Sequence, residues 1–243
     1  MTKKLIVANW KMNGSSDKAV QDLSFYKNNQ ITNQPNVVLA LPYPYLAAAT
    51  QITANFCLAS QDVSQFVDSG AFTGEVSAIM LKEFGVKYAI IGHSERRTLL
   101  GESGSILVKK LDNAINAGII PIFCIGEEQS IRDGGKYLEF LVEQLDLLNH
   151  LNCKIDKLVI AYEPIWSIGT GKIPTLEQIA EISGLIDAFV QKYLPHVKIT
   201  TLYGGSVSAK NIADILQLSQ IAGVLVGGAS LKTDEFVKIC THA

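Results

Sequence analysis

Leu158-Val159-Ile160-Ala161-Tyr162-Glu163-Pro164-Ile165-Trp166 is the stretch from which the fold is read. Its first five residues are apolar at odd and even positions alike, so both faces of the strand are expected to be covered. A carboxylate closes the run, a proline breaks it, and Ser167-Ile168-Gly169-Thr170-Gly171-Lys172 follows as a glycine-tipped loop. A strand end holds a side chain rigidly, and a loop behind a proline hinge can fold over a substrate and exclude water. Glu163 is therefore a candidate general base under a closing lid at residues 164–174. The bland alternative is an ordinary strand-to-helix turn.

Seven more short apolar runs lie on either side, at residues 5–8, 37–41, 56–59, 88–91, 119–125, 197–202 and 223–226. Their spacing of about 30 residues is that of repeated strand–helix units. Leu138, Leu141, Val142, Leu145 and Leu148 recur at helical spacing between two of them, as do Leu176, Ile179, Ile182, Ile186 and Phe189 between the next two. Thr175-Leu176-Glu177-Gln178 is a capping box opening the second of these helices. Ser208 is the expected N-cap of a later one, with Ile212, Ile215 and Leu216 on its inner face. Parallel strands covered by helices are an α/β class. Eight repeats in a chain of 243 residues favour closure into a single-domain (β/α)₈ barrel over residues 1–243. An open doubly wound sheet stays as the alternative, although Asn9-Trp10-Lys11-Met12-Asn13-Gly14 lacks the glycine pattern of a dinucleotide site.

Bulk properties narrow the chemistry. A net charge of −2 with scattered Lys and Arg gives no basic stripe for nucleic acid. Cys57, Cys124, Cys153 and Cys240 are far apart, and the histidines form no ligand cluster, so no metal site and no disulfide is expected. That pattern fits a reducing cytosol. No apolar window approaches a membrane span, and the segment after Met1 is too short for a signal peptide.

In such barrels the chemistry sits at the carboxyl ends of the strands. After the first strand come Asn9 and Lys11, on one face by strand alternation, against a solvated lysine as the plain reading. After the fourth comes Gly92-His93-Ser94-Glu95-Arg96-Arg97. Ser94 is read as the cap of a short helix beginning at Glu95. His93 would then sit at the positive end of a helix dipole, which disfavours imidazolium, and act as a neutral electrophile. A packing histidine is the commoner role. The charged Glu95-Arg96-Arg97 run is ordinarily a solvated face, and equally a support for the site in which Glu95 holds the Lys11 ammonium. Cys124 is read as a core thiol. Tyr203-Gly204-Gly205-Ser206 and Gly227-Gly228-Ala229-Ser230 bring two glycine pairs to adjacent strand ends, and a helix after Gly228 would aim its dipole at an anion. Together they form a candidate phosphate cradle. Residues 63–77 make a long loop displaying Phe66, Val67, Ala71 and Phe72, read as docking into a partner subunit or else folding back on its own barrel.

Asn9-Trp10-Lys11, Gly92-His93-Ser94-Glu95-Arg96-Arg97, Cys124-Ile125-Gly126-Glu127, Ala161-Tyr162-Glu163-Pro164-Ile165-Trp166, Gly169-Thr170-Gly171-Lys172, Tyr203-Gly204-Gly205-Ser206 and residues 223–231 occur in an order that closely resembles the triosephosphate isomerase family. The likeness spans essentially the whole chain. It implies a TIM barrel that interconverts dihydroxyacetone phosphate and D-glyceraldehyde 3-phosphate without metal or organic cofactor. It implies Glu163 as the proton shuttle, His93 and Asn9 on the enediolate oxygens, and Lys11 as positive charge. Glu95 and Cys124 would support these groups, and the N–H groups of Gly169, Ser206, Gly227 and Gly228 would bind the phosphate. Pro164, Ile165, Trp166, Ser167, Ile168, Thr170, Gly171 and Lys172 would be the lid. A cytosolic homodimer serving glycolysis and gluconeogenesis is implied too, with Thr73 reaching towards the partner's active site, and neither nucleic acid nor membrane as partner. Two positions depart from the family pattern. Pro174 stands where an alanine N–H usually meets the tyrosine of the Tyr203 loop, and Ser167 is unusual within the lid.

Overall fold

The computed structural model describes residues 3–34, 36–52, 57–67, 69–170 and 172–242. Among them the apolar runs form strands β1 Leu5–Asn9, β2 Val37–Leu41, β3 Cys57–Ser60, β4 Val86–Ile91, β5 Ile120–Ile125, β6 Lys157–Tyr162, β7 Lys198–Tyr203 and β8 Gly223–Val226. The helices between them are α1 Ser16–Asn28, α2 Tyr43–Ile52, α3 Ala78–Glu83, α4 Ser94–Leu100, α5 Gly104–Asn116, α6 Gln129–Asp133, α7 Tyr137–Asp146, α8 Leu176–Tyr193, α9 Ile212–Gln217 and α10 Thr233–Cys240. Every strand pairs in parallel with its sequence neighbours, and β8 returns to β1, so the sheet closes into a barrel. The open sheet is thereby excluded. Of the expected runs, only the start of the third, at Phe56, lies outside the described residues.

Strand alternation divides the core into two layers. Val7, Val38, Ala40, Ala59, Ile90, Ile122, Cys124, Val159, Ala161, Leu202 and Leu225 fill the barrel interior. Ile6, Leu39, Phe123, Ile160, Tyr162 and Val224 point outward into the layer shared with the helices. Both layers are buried, and each fully buried aliphatic side chain stabilises the fold by about 1.5–3 kcal/mol. Closure needs close backbone approach at the seam. A Cβ on Gly223 would lie 1.9 Å from the Leu5 carbonyl oxygen, its partner in β1, so only glycine fits there.

The helices follow the expected periodicity with local corrections. Thr175 caps α8 through a capping box, its hydroxyl accepting from Gln178 N–H and the Gln178 side chain accepting from Thr175 N–H. Ile179, Ile182, Ile186 and Phe189 are buried, but Leu176, in the first turn, stays exposed. In α7 Leu141 and Leu145 are buried, while Leu138 lies at the solvent edge. Ser208 does not cap α9. The chain makes a turn first, the helix begins after Asn211, and the Asn211 side chain folds back to accept from Ser208 N–H.

Candidate active site

Asn9, Lys11, His93 and Glu163 line one cavity of about 390 Å³ at the carboxyl end of the barrel. Alternation explains two of them, Asn9 and Glu163. Val7 points inward in β1, so Asn9 does too, while Trp10 turns outward and is buried against the helix layer. Lys11 is reached with φ at +53°, a strained left-handed conformation for a side-chain-bearing residue. In β6 the inward order Val159, Ala161 continues to Glu163. In β4 alternation would send position 92 inward. Gly92 instead takes φ +71°, and His93 enters the cavity. The motif order alone does not show this flip.

Ser94 is not the cap of α4, as the sequence had implied. The cap is His93 itself, whose Nδ1 accepts the Glu95 N–H at 3.2 Å, and Ser94 is the first helical residue. The imidazole nitrogen satisfies an orphan helix donor as a hydroxyl would. An Nδ1 that accepts a hydrogen bond places the ring proton on Nε2. Nε2 lies 3.0 Å from Glu163 Oε1. Ser94 instead donates its backbone N–H to Glu163 Oε2 at 2.9 Å. Glu163 is almost wholly buried. Burial opposes its charge, yet His93, the Ser94 N–H and Lys11 outweigh burial and hold its pKa below the usual carboxylate value. For His93, burial disfavours imidazolium, but the adjacent Glu163 carboxylate raises its pKa.

Lys11 Nζ meets Glu95 Oε1 at 2.5 Å, the contact expected of that pair. Cys124 lies inside the barrel, and burial followed by the Glu163 charge pushes its thiol well above the ordinary value. A thiol held neutral in this way is not a nucleophile. The glycines of neighbouring strand ends make room for these groups. A Cβ on Gly126 would sit 1.8 Å from the Glu163 carbonyl oxygen, one on Gly204 3.0 Å from Glu163 Cγ, and one on Gly227 3.4 Å from Lys11 Cε.

Gly169, Ser206, Gly227 and Gly228 border the same cavity on the side away from β4. The turn after Gly227 is a single 3-10 turn, Gly228–Leu231, rather than the helix expected there. Its dipole is correspondingly small, so any anion would be held by individual N–H groups. In the segment after Glu163, Ile165–Ser167 forms another 3-10 turn. Trp166 Nε1 donates to Glu127 Oε1 at 3.0 Å, and Thr170 Oγ1 donates to the Trp166 carbonyl at 2.9 Å. Ile168 lines the cavity, Lys172 is exposed, and Gly171 lies outside the described residues. Thr73 is exposed, far along the sequence in the 63–77 loop.

A family model described as triosephosphate isomerase matches residues 4–243. The chain is 41% identical to the triosephosphate isomerase of Neisseria meningitidis serogroup A, over 99% of this chain and 98% of that protein. It is 41% identical to the enzyme of the same name from Azoarcus sp., over 100% of both chains. It is 38% identical to that of Shewanella pealeana, over 100% of this chain and 98% of that protein. The chain belongs to the triosephosphate isomerase family. It is thus an isomerase.

Several residues that brace this cavity have no individual role in the sequence analysis. Gln144, on the inner face of α7, makes paired hydrogen bonds to Gly126, accepting from its N–H at 3.0 Å and donating to its carbonyl at 2.9 Å. A glutamine between the buried Leu141 and Leu145 is the signal that was available. Arg97 donates to the Gly92 carbonyl at 2.7 Å and the Cys124 carbonyl at 2.8 Å, stapling the ends of β4 and β5. Glu127 is fully buried, and its Oε1 collects Arg132, Tyr162 and Trp166.

Proposed function

We propose that the protein interconverts dihydroxyacetone phosphate and D-glyceraldehyde 3-phosphate through an enediolate. One observation carries the reading: an ionised, buried carboxylate, an imidazole with its proton on Nε2, a carboxamide and an ammonium share a single small cavity. Glu163 takes the proton from one substrate carbon and returns it to the other. His93 Nε2–H and the Asn9 carboxamide donate to the two oxygens, and Lys11 offsets the developing negative charge. The carboxylate that raises the His93 pKa is the group that must turn onto the substrate carbon. When it does, burial and Lys11 keep the imidazole neutral, the form able to donate without becoming too strong an acid.

Backbone N–H groups of Gly169, Ser206, Gly227 and Gly228 hold the phosphate. Residues 164–174 act as the lid that keeps water from the enediolate, which would otherwise expel phosphate. We place the enzyme in cytosolic glycolysis and gluconeogenesis, in keeping with its four unpaired cysteines. It acts as a homodimer. A second cavity of about 610 Å³ opens beside Lys11 and Glu95, bordered by Met12, Tyr43 and Gln61. We place Thr73 and its immediate neighbours, from the 63–77 loop of a second copy, in that cavity.

The test is glyceraldehyde 3-phosphate isomerisation by the wild type and by Glu163→Gln. Loss of a general base costs about 10²–10⁴ in rate. A wild type that does not isomerise, or a Glu163→Gln variant within tenfold of it, overturns the assignment.

A further inference from the structure

Tyr203, the last residue of β7, carries a polar group that the roles above leave unused. Its hydroxyl is buried and has no hydrogen-bond partner among the described residues. It leans back over Gly205, where a Cβ would lie 2.2 Å from the tyrosine oxygen and 3.0 Å from Pro164 Cγ. The hydroxyl therefore sits beneath the front of the lid. Burial pushes its pKa up to about 12, with the Ser167 side chain and the Ser206 N–H pulling the other way. It is a neutral donor that lacks an acceptor.

The lid supplies one candidate. Ser167 is fully buried, its hydroxyl donates to the Lys172 carbonyl at 2.7 Å, and its own carbonyl accepts from Ser206 Oγ at 2.8 Å. A hydroxyl has one proton and two lone pairs. With that proton committed to Lys172, Ser167 Oγ is left as an acceptor only. Pro174, buried at the rear of the lid, has no N–H and so can take no part as a donor.

We propose that Ser167 is a positioning residue for the isomerisation: its Oγ accepts the Tyr203 O–H when the lid settles on substrate. That bond joins Tyr203 at the end of β7 to the rear of the lid at Lys172 through one side chain, while the Ser167 carbonyl holds Ser206. It sets the Gly169 and Ser206 N–H groups at a fixed separation around the phosphate. The inference rests on the isomerase reading above and adds a residue to it. A looser lid admits water and lets the enediolate decay. In that decay the C–O bond to phosphate breaks, the enediolate electrons form the new double bond, and phosphate leaves with the bonding pair.

The experiment measures kcat/KM with glyceraldehyde 3-phosphate, and inorganic phosphate released per turnover, for the wild type, Ser167→Ala, Tyr203→Phe, the double variant and Ser167→Thr. Ser167→Ala and Tyr203→Phe are each expected to lower kcat/KM about five- to tenfold, the size of one hydrogen bond, and to raise phosphate release. The double variant is expected to be no worse than the poorer single one, since both remove the same bond. Ser167→Thr keeps the oxygen and stays within about twofold of the wild type. Additive losses, or a Ser167→Ala enzyme with wild-type kcat/KM and phosphate release, overturn the proposal while leaving the isomerase assignment standing. An inactive wild type overturns both. If thermal melting shows Ser167→Ala unfolded, Ser167→Cys, a weak acceptor of similar size, takes its place under the same criteria.

Discussion

At the residue scale, the site depends on side chains whose neighbours decide their charge. Glu163 stays ionised despite burial because His93, the Ser94 N–H and Lys11 favour the anion together. The reciprocal effect raises His93. Replacing Glu163 by Gln removes its negative charge and leaves burial and Lys11, which favour neutral imidazole, against the smaller opposing pull of Glu95. The His93 pKa is therefore expected to fall below its wild-type value. An NMR titration of the ring protons checks this, and an unchanged or higher value in Glu163→Gln would contradict it. Gly126 is a second residue-level case. Its Cβ would lie 1.8 Å from the Glu163 carbonyl oxygen, a backbone atom at the root of that side chain that cannot give way cheaply. Gly126→Ala is expected to lose on the order of 1–3 kcal/mol of stability and to displace Glu163. A urea midpoint and a kcat equal to wild type would refute this. The sequence named Asn9, Lys11, His93 and Glu163 from their places after apolar runs. It gave Gln144 no role and left Arg97 within a charged run, because Gly126 and the Cys124 carbonyl, which they bind, lie at a strand end distant in sequence and leave no local pattern.

At the element scale, the strands were legible from their apolar runs because a strand covered on both faces has little choice of composition. Helix starts were less so. Ser94 and Ser208 both look like N-caps, yet His93 caps α4 and a turn delays α9. Several side chains near a helix start can accept its free N–H groups, and the backbone path selects among them. The proposed lid is the element that most invites experiment. Pro174 locks φ, restricts Ile173 and withholds an N–H. Pro174→Ala is expected to change the rate of loop opening on the microsecond-to-millisecond scale, with activity retained. Relaxation-dispersion NMR of lid amides, alongside kcat, reads both quantities. Identical exchange rates and turnover in the two proteins would rule out any effect of the proline.

At the scale of the whole molecule, the outer surface carries one feature that a lone barrel does not need. The Phe66 and Phe72 rings stack with centroids 3.9 Å apart, and both remain more than a third exposed. Val67, Ile79 and Met80 extend the apolar ground around them. Patches of this kind are normally covered by a partner. Sedimentation is expected to show a dimer at micromolar protein, and Val67→Asp with Phe72→Asp is expected to shift it to monomer. A wild type that sediments as a monomer would refute the homodimer. The sequence by itself determined the alternation of strand and helix, the polar groups at the strand ends and the family, since each is written in local composition or in the order of short motifs. Only the tertiary structure decided that the sheet closes, with Gly223 against Leu5 at the seam. It alone showed that Gly92 turns His93 inward and that glycines at three strand ends leave space for the Glu163 carboxylate and the Lys11 ammonium. Those outcomes depend on atoms brought together from strands distant in the chain, and a linear pattern carries no record of such distances.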